Sequence, residues 1–307
     1  MRGRPGCANL HPCRAVWEQT IGSGIPGSID RGSSAVRSSS PDGFFFGAAM
    51  AFGAASAYLT AMTQEAPAQI EDHEEPGRAP TPARREPVFN LPVIVVAFIA
   101  LCTGIHLVRS FVLGEEQDVF TILTFAFIPL RYSGEYFIDF GAVVGPVSYS
   151  LLHGDFVHLG VNMIWLAAFG SPLANRIGPA RFVAFWVATS LAAVGLHYVL
   201  HMNDPVPLVG ASGAISGMMG AAARFGFAID RSAGRPLFAG PVRSFAQVFS
   251  SRTTITFLAV WFVINLVTGI GFAGPGMQGQ IAWEAHIGGF LAGFLAVSLF
   301  VPRRPRA

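Results

Sequence analysis

From about residue 90 onward the chain alternates apolar runs of roughly 20 residues with shorter polar connections. Each run is long enough to cross about 30 Å of hydrocarbon as a helix. Six runs stand out, at about 90–113, 147–170, 180–201, 209–229, 253–273 and 283–302. The pattern predicts an all-α membrane protein, a bundle of six transmembrane helices. The first connection, 114–146, is unusually long and mixes Phe, Tyr, Gly and Asp around Arg131. It predicts a part-buried structure lying in the membrane interface.

The N-terminal third reads differently. Residues 1–42 are rich in Gly, Ser, Pro and Arg without periodicity, the composition of a disordered segment. Residues 43–62 lack charge but are dominated by Ala and Gly, so they form an apolar segment of weak membrane affinity. Residues 63–87, acidic and then Pro- and Arg-rich, read as a solvated tether. We therefore expect a disordered leader over 1–87 and the helical domain over 88–303. Met50 and Met62 offer alternative starts.

Composition agrees with this reading: 52% of residues are hydrophobic and 12% charged, against about 25% charged in soluble domains. A net charge of +2 gives no reason to expect a nucleic-acid partner. The three cysteines, Cys7, Cys13 and Cys102, have no spacing that suggests a disulfide framework or a metal site. Lysine is absent, so arginine alone reports orientation. Arg84 and Arg85 precede the first run. Arg176 and Arg181 follow the second, and Arg231, Arg235, Arg243 and Arg252 follow the fourth. Arg303, Arg304 and Arg306 follow the last. The third and fifth connections have none. Arginine-rich connections face the cytoplasm, which puts both termini there. A bacterial inner membrane is the expected location.

On this orientation the second, fourth and sixth runs begin at the outer face, and each begins with polar residues. The fourth opens "GASGAISG". Its Ser212 sits where a helix start leaves backbone N–H groups free, a setting that stabilises an anion. The sixth opens "WEAHIGGFLAG", placing His286 at a similar depth, and a serine needs such a base to become a nucleophile. Ser212, Ser216 and Gly220 share one helix row, and Gly213 and Gly217 the next. His286, Gly289 and Gly293 share a face of the sixth run. Small faces let helices approach closely in lipid, which would bring imidazole to hydroxyl. The second run carries His158 and Asn162, four apart, both able to donate to an oxyanion, with His153 nearer the surface.

Each signal has a plainer reading. The glycines and Ser212 can serve packing alone, His286 can be an interfacial polar residue, and His158 with Asn162 can be a structural hydrogen-bonded pair. Glu284, two residues from His286, points to another face and is expected to meet solvent. His153, Asp155 and His158 do not have a usual zinc spacing, and His106, His197 and His201 receive no chemistry. The case for a site is that Ser, His, His and Asn fall at the same ends of three runs.

Those residues resemble the rhomboid family of intramembrane serine proteases. The likeness covers about 90–302 and rests on "HGDFVHLGVNMIWLAAFG", "GASGAISG" and "AHIGGFLAG" in that order. The resemblance implies a Ser–His dyad without an acid, with Ser212 the nucleophile and His286 the base. It implies an oxyanion hole from His158, Asn162 and the Ser212 amide, supported by His153, Gly210 and Gly213. Two positions depart from the pattern. Ser216 stands where some relatives carry an aromatic that stacks on the catalytic histidine, and the first connection has Arg131 but no tryptophan beside it.

The implied activity is cleavage of peptide bonds in or near transmembrane segments of other proteins, with no metal and no cofactor. The implied partners are transmembrane substrates and the lipid bilayer. The alternative is a catalytically inactive rhomboid-like protein that binds membrane helices. A transporter would show inverted repeats, and none is visible. The glycine-rich connection "GPGMQGQIA" at 274–282 reads either as a mobile cover over His286 or as an ordinary flexible connector.

Overall fold

The computed structural model describes residues 91–232, 234–269 and 282–302. The leader, its apolar segment at 43–62, and the expected cover at 274–282, except for Ala282, lie outside the described residues.

The described chain is mostly helical. Helix α1 (Val93–Phe111) crosses first. The long connection then folds as α2 (Glu115–Phe125), a 3-10 turn and α3 (Phe140–Ser148). Helix α4 (Phe156–Trp165) continues through a π turn at Leu166–Gly170 into α5 (Ser171–Ile177). After Gly178, at φ +82°, comes α6 (Pro179–Leu200). Helix α7 (Ser212–Arg224) follows, then a small antiparallel pair, β1 (Ile229–Asp230) with β2 (Leu237–Phe238). Helices α8 (Phe245–Ser250), α9 (Arg252–Gly269) and α10 (Trp283–Phe300) complete the order. Among the described residues, four helical segments are long and apolar enough to cross a membrane: α1, α4 through α5 (Phe156–Ile177), α6 and α10.

The fifth expected run is described only to Gly269, and its apolar stretch, Arg252–Val267, is shorter than the four spanning segments; two further runs differ from the elements found. The second begins at Phe156 rather than near 147. Asp155 stops helix extension backward by capping α4, its carboxylate accepting from the His158 N–H at 2.7 Å. Residues 140–151 form a separate short helical stretch. The fourth run is only 13 residues in α7, about 20 Å at 1.5 Å per residue, short of a full hydrocarbon crossing. All but its first residue are buried, so protein rather than lipid surrounds it and full membrane length is unnecessary. The short length follows from Gly226 and Phe227, both at positive φ, which turn the chain toward the hairpin.

Helix α7 runs parallel to α10, with their backbones nearly touching. A Cβ on Gly289 would strike the Gly213 carbonyl, and one on Gly293 would strike that of Gly217. A Cβ on Gly217 would meet Thr189 of α6 at 2.5 Å. Small residues thus set the spacing of α6, α7 and α10. At the far end Arg224 donates to the carbonyls of Arg243 (2.9 Å) and Phe294 (2.8 Å) and lies over the Phe245 ring. An aromatic layer including Phe98, Phe182, Phe185 and Trp186 packs α1 against α6.

The interfacial connection is anchored without a tryptophan. The Arg131 guanidinium donates to the Leu123 carbonyl and lies against Gly141. Tyr132 Oη donates to Ala142 O at 2.6 Å, and Phe127 pairs with Leu208 in both directions of a backbone bridge.

Candidate active site

The strand-like stretch before α7 ends at Gly210, whose φ of +129° is accessible only to glycine at low strain. Its N–H donates to the Tyr149 carbonyl at 3.0 Å. A side chain here would also run into His158, whose Nε2 lies 2.8 Å from the ideal Cβ position. Gly210 therefore serves both the turn and the approach of His158. Ser212 is the first residue of α7, so its hydroxyl stands beside the free N–H groups of that helix end.

Because α7 and α10 run parallel and in register, His286, the fourth residue of α10, meets Ser212. Its Nε2 lies 2.8 Å from Ser212 Oγ. On its other side, His286 Nδ1 lies 2.6 Å from Oδ1 of Asn265 on α9. Helix α9 is antiparallel to α10, and the pairs form successive rungs: Trp261 stacks on Phe290 at 4.6 Å, and one turn along Asn265 meets His286. Asn265 Nδ2 donates to Trp261 O at 2.8 Å, which fixes the amide with its oxygen toward the imidazole. An amide oxygen only accepts, so Nδ1 carries the proton and Nε2 presents its lone pair to the serine hydroxyl.

His158 faces the same spot from α4. The Gly154 N–H donates to His158 Nδ1 at 3.4 Å, leaving the ring proton on Nε2, the nitrogen nearest Gly210. Asn162, buried one turn deeper, donates through Nδ2 to the His158 carbonyl at 2.8 Å; the amide has a second N–H beyond that bond. His153 is fully buried, its ring edge-on to His158 at 5.2 Å. Its carbonyl accepts from Arg109 at 2.8 Å, and Arg109 is paired with Asp118. Gly213 contacts Ala193 and Tyr149 and stands against α10, a packing position.

Glu284 corrects one expectation. It points away from His286, as two helix steps of about 100° each require, but that face is covered by α6. Glu284 is buried rather than solvated, and Oε1 lies 2.9 Å from His197 Nδ1 and 2.8 Å from His201 Nε2. Those two histidines, given no chemistry from sequence, are therefore partners of a buried carboxylate. Ser216, at the position of the missing aromatic, is buried within α7. His106 is buried edge-on to Phe156 at 4.5 Å.

Asn265 is the site residue that sequence reading overlooked. The available signal was an amide in the middle of "WFVINLVTG", where lipid disfavours an unpartnered polar group.

A profile for the Rhomboid domain matches residues 141–303, more than half of the chain. RHOMBOID-like protein 5 of Arabidopsis thaliana is 30% identical over 143 residues, 47% of this chain and 39% of that protein. Rhomboid protease GluP of Bacillus subtilis is 30% identical over 148 residues, 48% of this chain and 24% of its own. Rhomboid protein 1, mitochondrial, of Saccharomyces cerevisiae is 35% identical over 72 residues, 22% of this chain and 21% of its own. The chain thus spans well under half the length of the curated relatives it matches. With its apolar helical bundle and the profile match, the chain is an integral membrane protein belonging to the rhomboid family.

Proposed function

We propose that the chain is an intramembrane serine endopeptidase, cutting peptide bonds in or near the transmembrane segments of other membrane proteins. The observation that carries the reading is the Ser212–His286–Asn265 line, with separations of 2.8 Å and 2.6 Å. Only the oriented tautomer of His286 can accept the serine proton, and Asn265 favours that tautomer.

In the proposed reaction Ser212 Oγ attacks the scissile carbonyl carbon while its proton passes to His286 Nε2. The carbonyl oxygen becomes an oxyanion held by the Ser212 N–H, His158 Nε2–H and the second Asn162 N–H. Collapse breaks the C–N bond, and His286 gives its proton to the departing amine. Water then attacks the acyl-enzyme, its proton going to His286 and afterwards back to Ser212. Asn265 accepts from Nδ1–H throughout and stabilises the transient imidazolium. No step calls on a metal or cofactor.

The working unit is 88–303, since α1 lies before the profile match yet contributes Val95 and Phe98 to the core. The arginine pattern supports a site opening at the outer face, both termini in the cytoplasm, and a bacterial inner membrane.

The rival reading is a rhomboid-like protein that binds membrane helices without cutting. An activity-based fluorophosphonate separates the two. Covalent labelling of the wild type, lost in Ser212→Ala and in His286→Ala, supports the enzyme. A wild type that is folded but unlabelled supports the binding protein.

A further inference from the structure

On α10, two residues before His286, Glu284 belongs to a second cluster that the proposed reaction does not use. His197 lies in the last turn of α6, and His201 is the residue at which that helix ends. Four positions apart, they project on one face, and that face meets the first turn of α10. The three donor atoms, His197 Nδ1, His201 Nε2 and a Glu284 oxygen, lie within 4.8 Å of one another. His197 and Glu284 are buried, whereas the His201 side chain is 41% exposed. The cluster is closed on the bundle side and open to solvent on the other.

We propose that His197, His201 and Glu284 form a binding site for one divalent transition-metal ion, with Zn²⁺ the best fit. Two imidazoles and a carboxylate suit zinc, whereas calcium and magnesium require more oxygen ligands. Two histidines four apart on a helix is the spacing by which helices grip zinc, and two histidines with one glutamate is a set that leaves a fourth position for water. The exposed side at His201 supplies that position.

At zinc distances of about 2.0–2.2 Å, tetrahedral ligands sit roughly 3.4 Å apart. The two N···O separations, 2.9 and 2.8 Å, open slightly on binding, while the two imidazole nitrogens, which together with the carboxylate oxygen span 4.8 Å, draw closer by about an ångström, a movement the exposed His201 side chain can make. Both nitrogens now face an ionised carboxylate, which only accepts, so they carry the ring protons. Binding moves each proton to the other ring nitrogen, His197 Nε2 and His201 Nδ1, and frees the lone pairs. The ion then ties the end of α6 to the start of α10. This inference stands apart from the proposed peptidase activity, and its test reads metal alone.

The test uses full-length, untagged protein in detergent, stripped with chelator and titrated with Zn²⁺ against a chromophoric competitor. Co²⁺ is added in parallel to record its visible absorption. The wild type is expected to bind one Zn²⁺ tightly and to give the intense bands of low-coordinate Co²⁺. His201→Asn and Glu284→Gln should each weaken Zn²⁺ by more than the roughly 10–100-fold that loss of a supporting hydrogen bond causes, and abolish the Co²⁺ bands. Zn²⁺ should raise the unfolding temperature of the wild type but not of His201→Asn. His201→Asn removes one donor to the buried Glu284 but leaves His197 on it, so the metal-free unfolding temperature should fall modestly with an unchanged gel-filtration profile. Equal Zn²⁺ affinity in wild type and His201→Asn would overturn the site. So would failure of the folded wild type to bind Zn²⁺, which would leave the two histidines as donors that satisfy a buried carboxylate.

Discussion

Asn265 Oδ1 lies 2.6 Å from His286 Nδ1, one rung along α9 and α10 from the stacked Trp261 and Phe290. The imidazole between Asn265 and Ser212 is held by hydrogen bonds at both nitrogens, where some relatives use an aromatic stacked on the ring. If the amide positions the base, Asn265→Ala lowers kcat by up to about 100-fold, the scale expected when a reacting group is misaligned by an ångström. KM changes little, because Asn265 holds the base rather than the substrate. Asn265→Asp, which keeps an acceptor, recovers much of the loss. Steady-state kinetics on one cleavable substrate checks this; a rise in KM with kcat intact would assign Asn265 to substrate binding.

His158 and Asn162 are predicted to differ in weight. His158 directs Nε2–H toward the Gly210 turn, while Asn162 already uses one N–H on the His158 carbonyl. Removing a single oxyanion donor costs about 10²–10³ in turnover. His158→Ala should approach that range, and Asn162→Ala should fall below it because the Asn162 amide is committed to the His158 carbonyl and offers an oxyanion only its second N–H. Single-turnover rates with saturating enzyme measure both. Full turnover in both variants would reduce the pair to a structural hydrogen bond.

The close approach of α7 and α10 carries a stability prediction. Gly293→Ala places a methyl group on the Gly217 carbonyl, where backbone cannot yield. Overpacking of this kind costs about 1–3 kcal/mol. Gly195→Ala, on an open surface of α6 with no atom near the added methyl, is the neutral comparison. Thermal unfolding in detergent should rank Gly293→Ala well below wild type and Gly195→Ala level with it.

Arg224 is predicted to be structural despite its charge. It satisfies the Phe294 and Arg243 carbonyls and stands over Phe245. Arg224→Met removes the donor to both carbonyls, and a hydrogen bond from a charged group contributes about 1.5–3 kcal/mol. The variant should unfold at lower temperature while the protein that stays folded cuts at the wild-type rate. A rate loss at full stability would contradict this.

Much of this architecture was legible in the sequence because lipid makes polar residues conspicuous. Ser212, His158, Asn162 and His286 stood out as polar groups at the ends of apolar runs, and the glycine rows announced close helix packing. Helix ends were less legible. The start of α4 depends on an Asp155 cap, and the length of α7 on its burial inside protein, where hydropathy gives no length signal. Glu284 was misread because sequence periodicity gives direction around one helix but not which neighbour covers that direction. Asn265 needed the pairing of α9 with α10, a long-range contact that a single amide does not reveal.

The most direct test of the central claim is reconstitution of the purified chain in liposomes with a panel of single-span membrane proteins, wild type beside Ser212→Ala. Fragments are sequenced by mass spectrometry. The wild type is expected to cut at least one of them within or beside its transmembrane segment, and Ser212→Ala, equally folded, to produce no such fragment. Equal cutting by Ser212→Ala would contradict that claim.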